Sequence, residues 1–246
     1  MHSSGGHMNA MLAWEFQYRI FISLGIVLAA CLCAYVLTDA KQTVFELLLG
    51  AAAPRSFGFL IAAIGCAVAS LLRMSAGTVL RSHRVMSFEV RPEELRIAPP
   101  YDLVRNPIYL ADLIAAAAFA LCMPLPGVAY PVLLALHYRN LILFEEKMLA
   151  QDHGDGYEAY RSTVPRMIPT WRSFRKFCGN SHTLHIDRDG FRFNALYVLF
   201  VPGLIVASAT GQFFHAVLVG LPAVADWAAW HTKKGLHPHA TSEARS

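Results

Sequence analysis

The chain has 246 residues, 55% of them hydrophobic and only 15% charged, with a net charge of +4. A mean hydropathy of +0.40, with the apolar residues in long runs rather than in a 3.6-residue stripe, excludes an ordinary soluble domain. Lipid offers the backbone no hydrogen-bond partners, so such runs are expected to be helices and the chain reads as an all-α integral membrane protein. Arg and Lys concentrate in a few loops, which suits cytoplasmic retention and argues against a nucleic-acid partner. Five cysteines, four of them inside apolar runs, lack the paired spacing of a disulfide framework or a zinc site.

Residues 1–16 read as a disordered tail, and Met1 to Met8 lack the basic-then-apolar order of a cleaved signal peptide. Apolar spans follow at Ile20 to Leu37, Phe57 to Leu72, Ile108 to Met123, Gly127 to Phe144, Phe193 to Thr210 and Phe213 to Trp230. Several fall short of the ~20 residues of a full crossing and are expected to tilt or to continue into amphipathic ends. A loop with Asp39, Lys41, Glu46 and Pro54 joins the first two, and Pro124-Leu125-Pro126-Gly127 closes a hairpin between the third and fourth. The polar stretches Arg73 to Arg105 and Lys147 to Arg192 carry most of the basic residues, whereas the opposite loops carry only Lys41 and Arg55. With about six spans, both termini and both basic segments are expected in the cytoplasm. The chain then divides into a core at 17–178, four spans with a cytoplasmic cap, and a two-span C-terminal appendage with its tail at 179–246.

Chemistry-bearing residues gather where the hairpin meets the polar segments. Asn106-Pro107 is a helix start, with Asn as N-cap and Pro at the first position, and a helix N-terminus beside Arg105 also suits a carboxylate or phosphate. Tyr109, one turn in, is placed either to stack on a ligand or to join an aromatic belt. In the fourth span His137, Arg139 and Asn140 precede Glu145-Glu146. A charge facing lipid costs roughly 2.5–3.5 kcal/mol, so these groups are expected to face protein, water or a ligand; the alternative for Glu145-Glu146-Lys147 is a helix emerging into solvent. Asp112, one turn beyond Pro107, is expected in the same pocket. Tyr157 and Tyr160 share a helix face, and Val164-Pro165-Arg166-Met167-Ile168-Pro169 is interrupted by prolines and reads as a loop over the end of the hairpin. His182 and His185 have no companions for a metal site, and no glycine-rich nucleotide fingerprint occurs.

Read in order, these stretches resemble the isoprenylcysteine carboxyl methyltransferase and phospholipid methyltransferase family of membrane enzymes. The family pattern is roughly Gly-Pro-Tyr-Arg-x-Val-Arg-His/Asn-Pro-x-Tyr-x-Gly, then Glu-Glu-x-x-Leu, Phe-Gly-x-x-Tyr-x-x-Tyr and, in many bacterial members, Val-x-Arg-x-x-Pro. Here Pro100-Tyr101-Asp102-Leu103-Val104-Arg105-Asn106-Pro107-Ile108-Tyr109 is followed by Glu145-Glu146-Lys147-Met148-Leu149, Gly154 to Tyr160 and Val164 to Pro169. Ala111 replaces the family glycine, Asp102 the arginine and His153 the phenylalanine, and Asn106 departs from the prenylcysteine enzymes.

The resemblance implies methyl transfer from S-adenosylmethionine to a lipid or other lipophilic acceptor entering from the bilayer, in a cytoplasmic pocket of a bacterial inner-membrane enzyme. It implies cofactor contacts from Tyr101, Arg105, Asn106, Pro107, Tyr109, Glu145, Glu146, Tyr157, Tyr160 and Arg166. Catalytic roles fall to Glu146, Arg105, Arg139 and His137, with Glu146, His137 or Asp112 as base for an amine or thiol acceptor. A membrane reductase of related fold and a non-catalytic scaffold or carrier are the competing readings.

Overall fold

The computed structural model describes residues 12–36, 42–50, 53–80, 98–179, 184–219 and 225. Residues 1–11, 37–41, 81–97, 180–183 and most of the sixth expected span therefore lie outside the described residues. Among the described residues the fold is all-helical, and its one sheet-like feature is an isolated bridge between Thr43 and Pro124.

In chain order, helical residues 12–17, inside the expected tail, lead into α1 at Arg19–Tyr35. Next come α2 (Val44–Leu49), α3 (Arg55–Leu80) and α4 (Pro107–Leu121). A 3-10 turn at Leu125–Val128 opens α5 (Ala129–Thr163), followed by α6 (Trp171–Gly179) and α7 (Arg188–Asn194). A second 3-10 turn at Ala195–Phe200, α8 (Val201–Thr210) and helical residues 213–219 complete the described chain.

Two helices are long and apolar enough to cross a membrane, Arg55–Leu80 and the unit Leu125–Thr163. At 26 residues α3 is about 39 Å long. The apolar helices Arg19–Tyr35, Pro107–Leu121 and Ala195–Thr210 are each 10–17 residues long. The single helix expected over Phe193 to Thr210 is instead broken by the 3-10 turn, and Pro202 restarts it in the first turn of α8, where a missing N–H costs nothing. The loop expected between the first two spans also contains a helix. Thr43 and Glu46 form a reciprocal capping box that starts α2, and Arg55 donates to Glu46 at 2.6 Å.

Packing follows residue size. Ala62, Ala63, Cys66 and Ala69 of α3 meet Ala111, Ala115 and Ala118 of α4 on one side and Leu204 and Ala207 of α8 on the other. Small side chains let three helix backbones approach closely, which is how helices associate without a strong hydrophobic drive between them. Residues 195–216 thus share one core with α3 and α4. A second cluster joins Ala30 of α1 to Tyr130, Leu134 and Leu141 of α5. The outer faces are apolar too: Phe21, Leu24 and Leu28 on α1 and Phe57, Ile61 and Ile64 on α3 are exposed.

Candidate functional site

Three segments far apart in sequence meet where α4 begins and the apolar part of α5 ends. Asn106 stands at the N-cap of α4 with Pro107 buried as the first helical residue, yet its side chain makes no capping bond. Its amide donates instead to Glu146 Oε1 at 3.3 Å and to the Arg166 carbonyl at 3.2 Å. The adjacent Arg105 N–H donates to the Pro165 carbonyl at 2.9 Å. Main chain and side chain together pin the Val164 to Pro169 strap across the end of the hairpin, as the two prolines suggest.

Glu146 is the centre of the cluster. Arg166 grips it from the strap, Nη2 to Oε2 at 2.8 Å and Nε to the same oxygen at 3.0 Å, and Arg105 Nη2 lies 3.3 Å from Oε1. A buried carboxylate facing two guanidiniums and an amide is well compensated, and the fork of Arg166 fixes its orientation. Arg166 is itself 44% exposed in its side chain, so this half of the cluster borders solvent. Beside it runs a groove of about 420 Å³, lined by Leu143, Glu146, Lys147, Gln151, Arg161 and Arg166.

The third wall depends on one glycine. At Gly154 the backbone takes φ 48° and ψ −123°, breaking the helical path within α5. Only glycine adopts this conformation without strain. The turn beyond it carries Tyr157 and Tyr160 back onto residues 101–105. Tyr160 donates to the Tyr101 carbonyl at 2.7 Å, and the Tyr101 ring is buried. Tyr157 is 1% exposed, and its hydroxyl has no hydrogen-bond partner in the protein. Arg105 Nε and His153 Nε2 are likewise buried without a partner. Burial, with the Glu146 carboxylate as the next cause, pushes the Tyr157 phenol up to about 12, so it remains a donor at neutral pH. Buried donors with nothing to bind are rare in folded proteins and mark places where a ligand or water belongs.

Other expected residues lie elsewhere. Glu145, about 100° around the helix from Glu146, accepts from Tyr109 at 2.7 Å, and the Tyr109 ring packs 4.7 Å from Tyr138. Asp112 does not join the pocket. It is buried deeper, where Tyr138 and Tyr197 each donate to it at 2.8 Å and Arg73 pairs with it. With both oxygens committed, Asp112 is a structural hub rather than a base. His137 is also separate: Nδ1 lies 2.7 Å from Glu15 Oε1, and Asn140 donates to the same carboxylate at 3.2 Å, tying residues 12–17 to α5. Arg139 faces outward and is exposed. Neither Arg139 nor His137 reaches the Glu146 cluster.

The groove adds Gln151 and Arg161, which sequence reasoning passed over, and Lys147, which it read only beside the two acids. Lys147 and Gln151 share a helix face at i, i+4 next to Glu146, a signal that was available. Arg161 is brought in only by the bend at Gly154. Among the described residues no group of His, Cys, Asp and Glu is arranged to hold a metal. No family profile, curated protein or solved structure matches the chain.

Proposed function

We propose that the chain is an integral membrane enzyme transferring a methyl group from S-adenosylmethionine to a lipophilic acceptor, with its centre at the Arg105–Glu146–Arg166 cluster. In this reading about six apolar spans lie in a bacterial inner membrane, and the cluster, both termini and both basic segments face the cytoplasm. The observation that carries the reading is the pair of buried donors without acceptors, Arg105 Nε and the Tyr157 hydroxyl, beside a carboxylate and an open groove.

The donor set fits such a cofactor. Arg105 and Tyr157 supply an N–H and an O–H for its carboxylate, while Glu146 is the acceptor for an ammonium or ribose hydroxyls. Tyr160 holds the Tyr101 to Arg105 segment in place through the Tyr101 carbonyl, and Asn106 and Pro107 hold the start of α4 against the strap. Bound there, the cofactor supplies an electrophilic methyl group on a sulfonium. The protein's part is to orient the two reactants and to exclude water. Glu146 is free to accept only when Arg166 swings away, so the strap is the moving part and its exposed arginine the latch. A carboxylate acceptor needs no base; an amine or thiol acceptor would give its proton to a Glu146 oxygen released by Arg166.

One observation favours a second, non-catalytic reading: Arg105, Arg166 and Asn106 already compensate the Glu146 carboxylate, as they would in an ion cluster that only fastens the strap. Calorimetric titration of detergent-purified protein with S-adenosylhomocysteine separates the two. Binding is expected, weakened roughly tenfold or more by Tyr157→Phe, since a hydrogen bond to a charged group is worth about 1.5–3 kcal/mol. Absence of binding by folded protein, or affinity unchanged in both Tyr157→Phe and Arg105→Ala, refutes the site.

A further inference from the structure

Six residues after the Pro165 carbonyl contact, the strap runs into α6, a nine-residue helix with the sequence Trp-Arg-Ser-Phe-Arg-Lys-Phe-Cys-Gly. Thr170 and Ser173 cap it reciprocally: the Ser173 N–H donates to Thr170 Oγ1 at 3.2 Å and the Thr170 N–H to Ser173 Oγ at 3.0 Å. Helical spacing sorts the rest onto two arcs. Trp171, Phe174, Phe177 and Cys178 fall on one, and Arg172, Arg175 and Lys176 on the other, with no acidic residue in the helix. The apolar arc is not buried by the described chain. Trp171 is 75% exposed and Phe174 46%, their rings stacked 6.1 Å apart, and Ile168 just before them is 81% exposed.

We propose that α6 lies on the surface of an anionic phospholipid bilayer, its aromatic arc in the acyl boundary and its basic arc on the lipid phosphates. Charge and position select this occupant. Three cations on a helix with no acidic residue of its own complement an anionic surface, and a tryptophan beside phenylalanine is the aromatic composition of membrane-surface helices. Exposed aromatics recur at this end of the bundle, where Trp14 and Tyr18 precede α1 and the apolar run of α5 gives way to Glu145. The helix therefore sits at the level where headgroups begin. Anchored there, it holds the trailing end of the strap that carries Arg166, so the lipid surface sets how far the Arg166–Glu146 latch can open. The inference rests on the membrane reading of the chain but not on methyl transfer.

The test uses full-length protein reconstituted in vesicles of phosphatidylcholine alone or mixed equally with phosphatidylglycerol, with bromine on the acyl chains near the headgroup. The chain has four tryptophans, and the difference between wild type and Trp171→Phe isolates Trp171. In the anionic vesicles bromine is expected to quench most of the Trp171 emission while aqueous iodide does not. Each cation near such a surface strengthens attachment about fivefold, so R172E/R175E/K176E, which leaves the apolar arc intact, is expected to abolish that quenching. Trp171 reached by iodide and not by bromine would place the helix in solvent, and Trp171 shielded from both would place it under protein; either overturns the proposal. Quenching unchanged by the triple reversal and by neutral lipid overturns the anionic part. None of these readouts involves the cofactor, so they fail independently of the enzymatic reading.

Discussion

Asp112→Ala strands three donors at once. Arg73, Tyr138 and Tyr197 all converge on this one carboxylate from α3, α5 and the second 3-10 turn. Arg73 keeps 21% of its side chain exposed and Asp112 only 8%, so the pair is nearly desolvated. Removing one partner of a buried pair costs about 3–5 kcal/mol, because the other charge is left without compensation. Each stranded phenol adds a penalty in the same direction. At about 2–4 °C per kcal/mol for a chain of this size, the melting temperature should fall by about 6–20 °C. The assay is thermal unfolding in detergent at one fixed scan rate, which keeps irreversible melts comparable. The informative comparison is R73M/D112M, which removes both charges and replaces them with apolar volume. It should be more stable than Asp112→Ala alone, since a pair replaced as a whole loses its desolvation penalty too. A loss below about 1 kcal/mol for Asp112→Ala, or a double variant no better than the single, would refute the hub.

Two tyrosines three residues apart should behave oppositely. Tyr160→Phe deletes a buried bond to the Tyr101 carbonyl and should cost about 1–3 kcal/mol in the same melts. Tyr157→Phe deletes a hydroxyl with no partner in the protein and should leave stability unchanged or slightly higher, its effect appearing only in ligand affinity. Gly154→Ala forces a side chain onto φ 48° and should cost about 1–3 kcal/mol, with faster amide exchange in residues 157–166 as the local signature. Unchanged exchange there would show that the bend does not position the strap.

Residues 101–109, 145–146 and 157–166 were legible as one set only through their ordered likeness to a family pattern, because prolines, paired acids and spaced tyrosines taken singly do not say that the three stretches meet. The strap was legible from Pro165 and Pro169 alone. The Thr43–Glu46 capping box was also present in the sequence, but it opens a helix of only six residues, too short for a hydrophobic period to advertise. Asp112 was misplaced because closeness to Pro107 along one helix says nothing about depth. Its partners come from residues 73, 138 and 197, which no local pattern connects. Asn106 followed the rule for its backbone and broke it for its side chain, because the strap offers the amide better acceptors than the helix end. His137 was drawn away by Glu15, in a stretch that composition had assigned to a tail.

The spacing of the Asp112 contacts has a consequence for how the chain is made. Its arginine lies 39 residues upstream, but the Tyr197 hydroxyl comes 85 residues downstream. At about 5–20 residues per second of synthesis, that hydroxyl emerges roughly 4–17 s after Asp112. Through that interval the small-residue side of α3 that will receive α8 stands uncovered. On the membrane reading proposed above, Arg73 and Asp112, both already made, would neutralise each other as they partition into lipid, so neither would enter as a lone charge. The late arrival of residues 195–216 then closes the bundle. A ribosome stalled between residues 121 and 195 would hold an intermediate whose α3 and α4 are made but whose flank for α8 is open, the stage at which this small-residue face is most exposed.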